Sequence, residues 1–208
     1  MNKPEYIKKI GRLNTEPYIN FIKSNSIIFQ RDERKNRDIL FGDAKTFFLV
    51  NEFKGSSLAA LKDFGCIAKD LFKTIEYWYG PGTIYNIQFS MLSPGDKIKR
   101  HYDQGLHFSL SQRIHVPLVT CNDVVFYINN RRFNLDAGLI VEINNNEYHA
   151  VENNSQNTDR VHLIIDYVLQ KHMKYLVPAD IPGNHTNNAG ESHLQQDNHT
   201  LVGRPVFF

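Results

Sequence analysis

The sequence predicts a mainly β domain, a barrel or double sheet built from short strands, with an amphipathic helix packed on one sheet. Three observations predict it. Short runs of β-forming residues separated by turn residues fill the second half, at residues 83–92, 112–119, 124–129, 131–135, 138–143, 148–153 and 160–169. Just before them, Leu61, Phe64, Ala68, Leu71, Ile75 and Trp78 recur at steps of three and four, the period of a helix with one buried face. The chain has 208 residues, 41% hydrophobic and 12% aromatic, enough to bury one sizeable core without dividing.

In chain order, Met1 to Pro17 is charged and polar with no apolar segment of the secretory kind. Nowhere does an apolar run reach the ~18 residues a membrane helix needs. A cytoplasmic protein with no membrane partner is expected. Arg31 to Asp38 (RDERKNRD) mixes charges without an apolar period and reads as a solvated loop or strand approach. Thr46 to Phe53 (TFFLVNEF) is rich in β-formers and predicts a strand. The helix from Leu58 to Tyr79 stops at Gly80-Pro81-Gly82. Ser93-Pro94-Gly95-Asp96 predicts a turn, and Asn129-Asn130 a tight hairpin, because Asn tolerates the positive φ that primed turns demand.

Beyond Val177 the chain becomes rich in Pro, Gly, Asn, His and Gln, so a single domain is expected over residues 1–177. Within it, residues 1–82 supply N-terminal strands and the helix, and 83–170 the β core. Residues 178–208 read as a polar, mobile tail whose His185, His193 and His199 are too loosely spaced to specify a metal site. Cys66 and Cys121 have no spacing suited to a metal knuckle or disulfide framework, and buried free thiols are expected. The net charge of +2 offers no general phosphate-binding surface, so no nucleic-acid partner is indicated.

His101 is the one histidine of nine followed two positions later by Asp, here Asp103. On an extended segment residues two apart point to the same side, so both can reach one ion. The pair alone is a weak signal; its company strengthens it. Downstream come Arg113 and His115 on one strand face, then His149, then Arg160. Two histidines and a carboxylate form the facial set that suits ferrous iron and leaves coordination positions open. Arg160 opens the run RVHLIIDYVL, where alternation places it with His162 and Ile164 on one face. A guanidinium among apolar neighbours needs an anion, either a bound carboxylate or a protein carboxylate such as Asp166 or Glu152.

These residues resemble the aspartyl/asparaginyl β-hydroxylase-like oxygenases, a family that includes bacterial proline hydroxylase-like members. The resemblance runs from about Tyr85 to Tyr167, through FSMLSPGDKIKRHYD at Phe89 to Asp103, QRIHVPLVT at Gln112 to Thr120, and EYHAVENNSQNTDRVHLIID at Glu147 to Asp166. It implies a double-stranded β-helix, a jelly-roll and cupin-like fold. It implies Fe(II) on His101, Asp103 and His149, the distal carboxylate of 2-oxoglutarate on Arg160, and help in binding that cofactor from Ser90, Arg113 and His115. The implied activity is hydroxylation of an amino acid, an amino-acid-like metabolite or a peptide residue by dioxygen, with 2-oxoglutarate decarboxylated to succinate and carbon dioxide. Ascorbate is the expected reductant in vitro. The animal β-hydroxylases lack the Asp ligand, so Asp103 makes the chain more similar to the bacterial amino-acid hydroxylases. Two alternatives stand beside this one. A non-catalytic cupin-like protein would bind metal or a small molecule without oxidising it, and a metal-dependent isomerase or hydrolase would need neither 2-oxoglutarate nor dioxygen.

Overall fold

The computed structural model describes residues 3–25, 27, 29–31, 44–50 and 58–176. Its strands are β1 (Ile7–Arg12), β2 (Gln30–Arg31), β3 (Lys45–Val50), β4 (Gly82–Leu92), β5 (Lys97–His101), β6 (Ser111–Val119), β7 (Val124–Ile128), β8 (Arg131–Phe133), β9 (Leu139–Ile143), β10 (His149–Asn153) and β11 (Arg160–Leu169). Helix α1 spans Glu16–Ser24, α2 spans Leu58–Tyr79, and α3 is a short helix at Leu106–Leu110. A 3-10 helix, Gln170–Tyr175, follows β11.

The strands form two antiparallel sheets, β1-β9-β6-β11-β4-β3-β2 and β5-β10-β7-β8, the arrangement of a double-stranded β-helix. Alternation along β11 divides the larger sheet into two chemically distinct faces. Its outer face carries Leu163 and Ile165, which join Phe89, Ile114 and the helix residues Phe64, Ala68, Leu71 and Ile75 in one apolar core. Phe64 is fully buried and meets Phe89 edge-on with ring centroids 5.9 Å apart, and Phe21 of α1 at 5.5 Å. The 3.6-residue period thus seats α2, as expected, except at the ends of its apolar stripe, where Leu61 is half-buried and Trp78 exposed.

The inner face is different. Toward the smaller sheet, a second apolar cluster of Leu92, Ile98, Phe126, Ile128, Val141, Ile143 and Val151 fills part of the barrel. Apart from Ile164, the inner positions of β4, β6 and β11 beyond this cluster include a buried polar set: Ser90, Arg113, His115, Arg160, His162 and Asp166. Buried polar groups are costly unless partnered, so this lining marks the interior as a place built for something other than packing.

The turns follow the expected chemistry. Asn129 and Asn130 both have positive φ, 48° and 66°, between paired β7 and β8, and the Asp96 amide donates to the Ser93 carbonyl at 3.1 Å. The strand expected at Thr46 to Phe53 is β3; residues 51–53 lie outside the described residues, as do all of Arg31 to Asp38 except Arg31 and the tail at 178–208. The N-terminal strand β1, which extends the larger sheet along β9, was not resolved as a strand by pattern. Its sequence, IKKIGR, is too charged for a half-buried alternation to stand out. Both cysteines are free, but Cys66 is exposed and Cys121 partly so, which corrects the expectation of buried thiols. Cys66 follows Phe64 by two residues, and on a helix that turns it away from the buried stripe.

Replacing Phe64 with Ala should cost about 3–5 kcal/mol of stability, since a fully buried ring in contact with several others leaves a cavity that cannot close. Urea titration of the Phe64→Ala protein checks this, the midpoint falling with little change in slope.

Candidate active site

β5 ends at His101 and β10 begins at His149, and the two residues face each other across the antiparallel pair. Their ring centroids are 4.3 Å apart. Asp103 lies just past the end of β5, where its backbone N–H donates to the carbonyl of Asn145 at 3.1 Å. The ligand atoms of His101, Asp103 and His149 all lie within 4.8 Å of one another. Each imidazole Nε2 is 3.9 Å from Asp103 Oδ1.

The backbone fixes which nitrogen is presented. His101 Nδ1 lies 2.8 Å from the Lys99 carbonyl and His149 Nδ1 lies 3.0 Å from the Glu147 carbonyl. A carbonyl only accepts, so each Nδ1 carries the proton and each Nε2 turns a lone pair toward Asp103. Burial pushes His149 down to about 4 against the pull of Asp103, so the ring is neutral and able to ligate near neutral pH. Phe126 lies parallel to the His149 ring at 6.1 Å and limits its movement.

Arg113 braces the carboxylate from behind. Its Nε is 3.3 Å from Asp103 Oδ2, while its Nη1 donates to Asp166 Oδ1 at 2.8 Å and Oδ2 at 3.0 Å. Burial alone would push the Asp103 carboxyl up, but Arg113 and the two histidines outweigh it and hold the carboxyl below its ordinary value. Asn86 donates to Asp166 Oδ2 at 3.0 Å, completing the chain. Lys3 reaches in from the N-terminal segment and donates to the Ser111 carbonyl and to Asn145 Oδ1, so the loop that holds Asp103 is tied to two distant parts of the chain.

Arg160 lies at the other end of β11's inner face, six residues and about 20 Å of strand from Asp166. It is 1% exposed, and among the described residues no carboxylate pairs with it. Nη1 donates to Ser90 Oγ at 3.4 Å, while Nε has no partner. Asp166 is taken by Arg113, and Glu152 accepts from the Tyr127 hydroxyl, so neither protein carboxylate considered from the sequence neutralises Arg160. Burial pushes the guanidinium down to about 9, a measure of how poorly the interior supports the charge alone. With His162, Thr120, Val124, Phe126 and Leu135 it lines a pocket.

All seven residues singled out from the sequence thus face the barrel interior or its rim, but in two groups. His101, Asp103, His149 and Arg113 converge on one point, while Arg160 and Ser90 meet further along. His115 lies between them, buried, its Nε2 without a partner. The structure adds Asp166, His162, Asn145 and Lys3. The alternation of RVHLIIDY already sets His162 on Arg160's face and extends to Asp166, whose partner proves to be Arg113; nothing local marks Asn145 or Lys3.

A family model described as aspartyl/asparaginyl beta-hydroxylase matches residues 45–169, more than half of the chain. No curated protein matches it. Among solved structures, the chain is similar to a prolyl hydroxylase from Trichoplax adhaerens in complex with a hypoxia inducible factor oxygen degradation domain peptide fragment, at 14% identity and TM-score 0.52, over 81% of this chain and 85% of that one. It is also similar to the non-haem alpha ketoglutarate dependent epimerase SnoN from nogalamycin biosynthesis, at 13% identity and TM-score 0.50, over 91% and 90%. A Pseudomonas putida prolyl-4-hydroxylase matches at 11% identity and TM-score 0.50, over 78% and 91%. At these identities the likeness shows the fold.

If the cluster holds a divalent metal, replacing Arg113 with Met should lower its affinity by about 10- to 100-fold, because the Asp103 carboxylate loses the group that orients it. Competitive titration with Co(II) measures the change.

Proposed function

The chain belongs to the aspartyl/asparaginyl β-hydroxylase family, a family of 2-oxoglutarate-dependent oxygenases, and on that premise we propose that it hydroxylates an amino acid, an amino-acid-like metabolite or a peptide residue, using Fe(II), 2-oxoglutarate and dioxygen. The observation that carries this reading is the buried Arg160, without a counter-ion among the described residues, in the same barrel as a two-histidine, one-carboxylate cluster. A structural arginine would bring its own carboxylate. One left unpaired in the interior is a receptor for an anion that arrives from outside.

His101, Asp103 and His149 would hold the iron, their Nε2 atoms and Oδ1 already turned toward one another. Arg160 and the Ser90 hydroxyl would receive the distal carboxylate of 2-oxoglutarate, a guanidinium fork matching carboxylate geometry better than an ammonium does. When bound, the metal and 2-oxoglutarate supply the oxidising chemistry, with decarboxylation to succinate and carbon dioxide coupled to insertion of one oxygen atom into a C–H bond. The protein's own share is placement and exclusion of water. Val124, Phe126 and Leu135 wall the Arg160 pocket with apolar surface, which strengthens the charge pairing inside it. The presence of Asp103 favours the bacterial amino-acid hydroxylases as the nearer functional comparison.

The direct test is succinate release from 2-oxoglutarate with ferrous iron and ascorbate, paired with a screen of amino acids and short peptides for a mass gain of one oxygen. His149→Ala should abolish both metal binding and succinate release; undiminished turnover by that protein would exclude the site. Arg160→Met should act in two opposite directions. It should weaken 2-oxoglutarate binding by about 100-fold, since the ligand carboxylate loses its buried partner. It should also raise the melting temperature of the cofactor-free protein, since an unpaired buried charge is removed. Calorimetric titration and thermal unfolding read the two effects separately.

A further inference from the structure

His115 on β6 and His162 on β11 are 4% and 1% exposed, and their Nδ1 atoms lie 3.5 Å apart. The rings meet nearly at right angles, 81°, with centroids 5.7 Å apart. Each Nε2 is buried and has no hydrogen-bond partner among the described residues. Two buried polar atoms left unsatisfied in one contact pair is an unusual expense, and it points to a ligand.

The contact constrains the tautomers. Burial, with Arg113 and Arg160 nearby, holds His115 well below the ordinary imidazole value, and burial with Arg160 and His115 does the same for His162, so both rings are neutral. A neutral imidazole has one N–H, and an Nδ1···Nδ1 hydrogen bond needs one donor and one acceptor. The two rings must therefore be opposite tautomers, and one Nε2 of the pair is a donor while the other is a lone pair.

The surroundings select which. His162 lines the same pocket as Arg160, whose guanidinium can only donate and whose Nε lacks an acceptor. A lone pair on His162 Nε2 suits that neighbour and an N–H does not. His162 then carries its proton on Nδ1 and gives it to His115 Nδ1. That leaves His115 with its proton on Nε2, in the interior between the metal cluster and Arg160.

We propose that His162 is a positioning residue that fixes His115 as its Nε2–H tautomer, so that a neutral hydrogen-bond donor faces the carboxylate-bearing cofactor between the metal cluster and Arg160. This rests on the 2-oxoglutarate reading above. It separates the roles of the two histidines: His115 touches the cofactor, and His162, which also lines the Arg160 pocket, sets the tautomer of His115.

Amide substitutions distinguish this from direct contact. Asn at position 162 places an NH2 donor near the position of Nδ1, whereas Gln extends its amide toward the position of Nε2. Calorimetric titration of 2-oxoglutarate into Zn(II)-loaded protein, which binds without turnover, should give His162→Asn an affinity close to the parent's. His162→Gln and His162→Leu should be weaker by roughly five- to tenfold, the worth of one buried hydrogen bond. Parent-like affinity in His162→Leu overturns the proposal, and so does the reverse order, with Gln retained and Asn weakened. A parent that binds no 2-oxoglutarate overturns the cofactor reading and this proposal together. Nitrogen chemical shifts of the two imidazoles in the parent, with Zn(II) and without 2-oxoglutarate, give an independent readout that needs no variant to fold. His115 should be protonated on Nε2 and His162 on Nδ1, and the opposite assignment overturns the proposal.

Discussion

A positive charge held inside the barrel with no negative partner among the described residues is the constraint on which the rest of this molecule turns. Arg160 occupies an inner position of β11, a strand flanked on both sides by β4 and β6, so neither backbone displacement nor snorkelling can return its guanidinium to water. The fold tolerates this because the surrounding apolar cores are extensive: α2 and α1 cover the outer face, and a second cluster fills the space between the sheets. Stability generated on one side of β11 offsets a deliberate deficit on the other. Such local deficits are expected where a protein trades stability for binding.

The metal cluster is built by a different device. Each histidine is held by a carbonyl two residues before it in its own chain segment. The paired strands then set the spacing between the two rings. Asp103, which lies beyond the ladder, lacks such local support and is instead held by Asn145 and Arg113, with Lys3 behind Asn145. The cluster therefore combines two candidate ligands fixed by secondary structure with one fixed by tertiary contacts.

That division explains how much was legible in the sequence. Helix α2, the Asn129-Asn130 hairpin and the strands from Thr83 to Leu169 other than β5 are written in local patterns of period and turn chemistry, and the structure places them where those patterns do; β5, KIKRH, is too charged for its alternation to stand out. His101, Asp103, His149 and Arg160 could be picked out because residue type, alternation and a family resemblance converge on them. Arg113's double pairing could not, since Asp103 and Asp166 lie 10 and 53 positions away from it and meet it only after the sheets form. Lys3 and Asn145 are 142 positions apart and carry no pattern at all. The charged strand β1 was obscured because its burial is decided by what packs opposite, whereas the outward turn of Cys66 was legible in the helical period that buries Phe64.

The brace that Arg113 applies to Asp103 has a further consequence for coordination chemistry. One oxygen of that carboxylate is engaged by the guanidinium and the other faces the imidazoles. A chelating carboxylate, with both oxygens on the ion, would require the Arg113 contact to break. Held as it is, Asp103 would offer a single oxygen to an ion bound at this cluster, and the three side chains together would leave room on such an ion for molecules other than the protein.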